Sequence, residues 1–132
     1  MRFLLVDDDK RITDILNLYL AEYAECKVVN AAVDAVEAFR EGLETGPKYD
    51  VVFMDIMMPG MDGHRVAEMM RGMEEERGVM DPDIFKLVMV SGYCDVKNVC
   101  KSFFSGRADA YVAKPIEKKA LIAALRKSGI IP

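Results

Sequence analysis

No stretch of this 132-residue chain approaches the roughly 18 uncharged apolar residues that a membrane-spanning helix requires. Arg2 is followed at once by Phe3-Leu4-Leu5-Val6, but the run stops at Asp7, too short for a signal peptide. Cysteine is scarce. Cys26, Cys94 and Cys100 form no C-x-x-C pair, and an odd number closes no disulfide framework, so buried free thiols in a reducing compartment are expected. Basic charge is not in excess either: the net charge is −4, which repels a phosphate backbone on average and argues against direct nucleic-acid binding. Low-complexity tracts and linkers are missing. With 52% hydrophobic and 30% charged residues, the chain reads as one folded acidic domain spanning residues 1–132. The expectation is a cytoplasmic protein with no membrane partner and no separate output domain.

What is present alternates. Short apolar runs are followed by amphipathic stretches, and the order repeats about five times. Residues 3–6 predict a strand, and Ile12, Ile15, Leu16, Tyr19 and Tyr23 recur at helical spacing after it. Residues 27–30 predict a second strand. The helix that follows carries Val36, Phe39 and Leu43, with Asp34 as its expected cap and Glu37 at the reciprocal position, and Gly46-Pro47 ends it. Residues 51–54 are apolar on both faces, as in a central parallel strand. Two glycines and a proline make residues 58–63 a loop, ahead of a helix with Val66, Met69, Met70 and Met73 on its apolar side. The charge run from Glu74 to Gly78 reads as a solvated helix end. Residues 87–90 and 110–113 predict two more strands, separated by a helix from about Asp95, and Leu121, Ile122 and Leu125 line a last helix. The pattern predicts an open parallel α/β sheet with helices on both faces. A mixed α+β domain is the alternative on periodicity alone.

Ligands of open α/β sheets sit outside the carboxyl ends of the strands. Asp7 and Asp8 follow strand one and Asp55 follows strand three, while Asp9 reads as the cap of the first helix. If strands one and three are neighbours, the three carboxylates share a pocket. Two such charges 4 Å apart repel by about 4 kcal/mol at an effective dielectric near 20, so something must compensate them. Oxygen ligands with no histidine or cysteine cluster suit a hard ion such as Mg2+, with Mn2+ as a substitute. A metal there would also let a carboxylate attack phosphorus and become an acyl phosphate. Lys114, just past strand five, has the address to neutralise more of that charge. Ser91, ending strand four, could donate its hydroxyl to a phosphoryl oxygen.

Four segments together carry a resemblance: Leu5-Val6-Asp7-Asp8-Asp9, Met54-Asp55-Ile56-Met57-Met58-Pro59-Gly60-Met61-Asp62-Gly63, Val90-Ser91-Gly92 and Tyr111-Val112-Ala113-Lys114-Pro115. The chain resembles the receiver domain of bacterial response regulators over about residues 2–127. The resemblance implies a flavodoxin-like open five-stranded parallel sheet in the order 2-1-3-4-5. It implies that Asp55 is the phosphoacceptor and that Asp7, Asp8, Asp55 and the Met57 backbone carbonyl hold Mg2+. Ser91 and Lys114 would contact the phosphoryl group, Tyr111 would be the switch aromatic beside Ser91, and Lys114-Pro115 would be a cis bond.

The implied role is a signalling switch rather than an enzyme, phosphorylated by a sensor histidine kinase or a phosphotransfer protein. Output would pass to a downstream protein or a second copy, through a face containing Phe104, Arg107 and Tyr111. Two departures stand out. Arg107 occupies a place where many relatives carry glycine, and residues 74–85 are long and acidic. Two rivals remain open: a Mg2+-dependent phosphatase, which would want an acid where Met57 stands, and a cation-binding module that is never phosphorylated.

Overall fold

The strand ending at Asp55 is buried at all of its positions, so it is covered on both faces and paired on both edges. In the computed structural model, which describes residues 1–92 and 108–132, it is the middle of a five-stranded sheet. The strands are β1 (Arg2–Val6), β2 (Glu25–Val29), β3 (Val51–Asp55), β4 (Lys86–Ser91) and β5 (Ala110–Ala113), ordered β2-β1-β3-β4-β5 with every pairing parallel. The described helices are α1 (Lys10–Leu20), α2 (Ala32–Thr45), α3 (Gly63–Glu76) and α4 (Lys118–Lys127).

Side-chain alternation along the strands divides the core into two layers. Leu4, Val6, Val52, Met54, Leu87 and Met89 point toward Phe39 of α2 and Val66 and Met70 of α3. Phe3, Leu5, Val51, Phe53, Val88 and Val90 point toward Leu16 and Leu20 of α1 and Leu121 and Leu125 of α4. The register then decides what meets at the carboxyl edge. Val6 pairs with Met54, so Asp7 and Asp55 each stand one residue beyond the same rung. Asp55 pairs with Val90, and Ser91 with Ala113, which brings Lys114 to the same edge.

Several expectations change in detail. β2 begins at Glu25, two residues before the predicted start. Asp34 is not the cap of α2: the helix begins after extended Ala31, which makes no side-chain cap bond, and Asp34 lies in the first turn. A carboxylate there still favours the positive end of the helix. The predicted loop at residues 58–63 contains a two-rung antiparallel hairpin, Met57–Met58 against Met61–Asp62. Gly60 takes φ 79 at its turn, with Pro59 before it, the geometry of a type II turn. Asp62 then caps α3, accepting from the Arg65 N–H at 2.8 Å. Met69 is 41% exposed rather than core, because Val66, Ala67 and Met70 fill the inward stripe.

Glu74 departs most from its predicted place. Its side chain is 2% exposed, and both carboxylate oxygens accept from the Phe85 N–H, at 2.9 and 3.2 Å. Arg71 lies over the Phe85 ring at 3.9 Å and donates to the Phe85 carbonyl. The apparent charge run therefore begins with a buried anchor between α3 and the start of β4. Cys26 is a free thiol, half-buried, and burial pushes its pKa up. Cys94, Cys100 and the helix expected from Asp95 lie outside the described residues.

Candidate functional site

The end of β1 supplies the first two carboxylates. Asp7 is 1% exposed, and its Oδ1 accepts from the Asp9 N–H at 2.8 Å. Asp9 caps α1 through the Arg11 N–H at 2.9 Å, so the side chain of each of these aspartates holds the backbone that follows it. Asn30 Nδ2 donates to the Asp7 carbonyl at 2.8 Å and to Thr13 Oγ1 at 3.0 Å, bracing this turn from β2 and α1. Sequence reasoning did not single out Asn30 or Thr13. The available signal was a polar residue at position 13 on the inner stripe of α1, where it is fully buried.

Asp55 ends β3 and is 5% exposed. One carboxylate oxygen from each of Asp7, Asp8 and Asp55 lies within 4.8 Å of the others, so the predicted convergence occurs. Lys114 Nζ stands 2.8 Å from Asp7 Oδ2 and 3.3 Å from Asp55 Oδ1. Its own N–H donates to the Ser91 carbonyl at 2.7 Å, which fastens the lysine to the end of β4. Ser91 is buried at that edge. Tyr111 is half-buried on β5, opposite Met89, and packs against the α2–α3 side of the core. Met57 has an exposed side chain, and its N–H donates to Asp55 Oδ1 at 3.4 Å. Phe104 and Arg107 lie outside the described residues. The Lys114-Pro115 bond is cis, as the resemblance implied.

The electrostatics of this pocket are out of balance among the described groups. Burial first, and the Asp7 charge second, push the Asp55 carboxyl up to about 7 against the pull of Lys114. Burial works against the Lys114 charge, but Asp7 and Asp55 more than offset it and hold the ammonium above its ordinary value. Three carboxylates face one ammonium, and Asp55 responds by gaining proton affinity. A hard divalent cation fits this donor set, because every side-chain ligand is a carboxylate oxygen and the excess charge is negative. The cluster resembles an acidic Mg2+ pocket.

Residues 3–126 match the family model described as the response regulator receiver domain. The chain belongs to that family. It is 32% identical over 135 residues to regulatory protein VanRB of Enterococcus faecalis, an alignment spanning 99% of this chain and 55% of the relative. The chain spans about half the length of the curated relatives it matches. Among solved structures, a CheY-like response regulator receiver domain protein from Methanospirillum hungatei aligns with TM-score 0.69 and 28% identity, covering 96% of this chain and 90% of that one. The receiver domain of Saccharomyces cerevisiae Ssk1, crystallised with the histidine phosphotransfer protein Ypd1, shares the fold with TM-score 0.77 at 20% identity, covering 98% and 90%. Receiver domains are phospho-accepting switches rather than enzymes, and the fold and aspartate cluster of this receiver are consistent with that role. No described helix is long and apolar enough to cross a membrane.

Proposed function

We propose that this receiver takes a phosphoryl group from the phosphohistidine of a sensor histidine kinase or phosphotransfer protein onto Asp55, and signals by altering a protein-binding face. The observation that carries the reading is the Lys114 ammonium, 2.8 Å from Asp7 and 3.3 Å from Asp55 at the carboxyl edge of the sheet. Here a cation and a surplus of anions surround Asp55. The Ssk1 receiver, which has this fold, was crystallised with a phosphotransfer protein, and that supports the class of donor.

In the transfer, an Asp55 carboxylate oxygen forms a bond to phosphorus while the phosphorus–nitrogen bond of the donor breaks, and the imidazole nitrogen keeps the electron pair. Lys114 donates to one phosphoryl oxygen and the Ser91 hydroxyl to another, so charge developing on the group meets donors already in position. Asp7, Asp8, Asp55 and the Met57 carbonyl are the residues that would hold Mg2+, or Mn2+ in its place. When bound, Mg2+ supplies neutralisation of the phosphoryl oxygens. The product is an acyl phosphate that hydrolysis returns to Asp55. Movement of Ser91 toward the phosphoryl group leaves room for Tyr111 to pack inward, and the face around β5 changes its affinity for a downstream protein or a second copy.

The test is incubation with phosphoramidate and Mg2+, followed by intact-mass measurement. One phosphoryl group per chain, absent in Asp55→Asn, is the expected result. A label mapped to Ser91 or Asp8 would overturn the assignment. Sustained turnover would favour the phosphatase reading, and no labelling the cation-binding one.

A further inference from the structure

Away from the acidic pocket, two surface features are opposite in charge. The first is an open groove of about 280 Å³ beside α4, lined by Tyr23, Lys118, Lys119, Ile122, Ala123 and Arg126. Its apolar lining comes from Ile122 and Ala123, and its rim carries three cations on a chain whose net charge is −4. Lys118 meets Glu22 at 3.4 Å, whereas Lys119 has no ion pair among the described residues. The second feature is the segment joining α3 to β4. Met80 is 73% exposed there, and Glu75, Glu76, Asp81 and Asp83 are exposed around it in sequence. Arg77, the cation within this segment, is engaged by Glu44 at 3.2 Å. None of Glu75, Glu76, Asp81 and Asp83 has an ion pair among the described residues.

We propose that the chain self-associates head to tail, the acid-flanked Met80 of one copy entering the basic α4 groove of the next. An exposed thioether is a flexible apolar anchor, and the acids around it would meet the rim cations, of which Lys119 has no ion pair among the described residues and Arg126 donates to the Pro132 carbonyl at 3.1 Å. Neither feature includes a residue of the phosphoacceptor site, so the contact leaves that pocket open. Because the two surfaces differ, the contact is heterologous, and it builds rings or open chains rather than a single symmetric pair. It does not depend on phosphorylation.

Sedimentation velocity of the full chain, across a concentration series at low and high salt, tests this. Growth in mass with concentration, weakened by salt, is expected. Lys119→Glu and Glu76→Lys, both at exposed positions, should each weaken association by at least about tenfold. Mixing the two variants one to one should restore pairing but not longer chains, since each pair again contains one unaltered groove and one unaltered acidic segment. Met80→Ser should weaken association while leaving its salt dependence in place. A wild-type chain that stays monomeric throughout overturns the proposal. So does association that neither charge reversal changes, or variants that fail to complement when mixed.

Discussion

A β-carbon placed on Gly63 would stand 2.1 Å from the backbone oxygen of Asp55 and 2.8 Å from Met54 Cγ. The first residue of α3 is thus pressed against the strand end that carries Asp55, and the Gly63 N–H donates to the Ile56 carbonyl at 2.8 Å. Gly63→Ala must push α3 away or displace Asp55. The expected cost is about 1–3 kcal/mol of stability, measured by urea denaturation, together with slower labelling by phosphoramidate.

Asp8 is the exposed member of the carboxylate triad, so it can be changed without opening the core. Asp8→Asn should weaken Mg2+ binding at least about tenfold, equivalent to roughly 1.4 kcal/mol, and leave the melting temperature of the metal-free protein nearly unchanged. Titration calorimetry showing equal Mg2+ affinity in both proteins would remove Asp8 from the site.

Asp55→Asn removes a carboxylate that burial and Asp7 both disfavour. In chelator at pH 8, the variant should be more stable than the wild type by about 1–3 kcal/mol while accepting no phosphoryl group. A less stable variant would mean that the Lys114 contact outweighs the repulsion.

Lys114→Ala should retain some labelling but uncouple it from Tyr111. Fluorescence or NMR signals of Tyr111 that respond to beryllofluoride in the wild type should no longer do so. An unchanged response would remove the lysine from the coupling between site and strand.

Glu74 gives a pH signature away from the carboxylate cluster. Burial raises its pKa above the ordinary 4.5, opposed by the Phe85 N–H, Lys48 and Arg71. A carboxyl with a raised folded-state pKa contributes stability below its unfolded value and loses that contribution as pH rises through the folded value. Relative to Glu74→Gln, the wild type should therefore gain stability as pH falls toward 4.5 and lose it above the raised pKa. Glu74→Ala, which leaves the buried Phe85 N–H without an acceptor, should cost about 1–3 kcal/mol, with the larger cost at low pH. Urea midpoints across a pH series measure both effects.

Local signals carried much of this molecule. The apolar runs became β1, β3, β4 and β5, and Asp9 capped α1 as its position before that helix implied, because strands and caps are built from neighbours in sequence. The motifs also pointed to Asp7, Asp8 and Asp55, whose carboxylates converge, and to Lys114 beside them. Tertiary structure alone decided which strand ends stand side by side, since pairing Val6 with Met54 joins residues 48 apart in the chain. It also decided that Glu74 is buried. A carboxylate beginning the run Glu74-Glu75-Glu76 looks solvated until the Phe85 N–H, eleven residues on, arrives to be accepted. Gly63 follows the same logic: its need for a missing side chain exists only because α3 returns to lie against Asp55. Periodicity along one segment reports which face is apolar. Contacts between segments depend on register and loop closure, and those are properties of the assembled sheet.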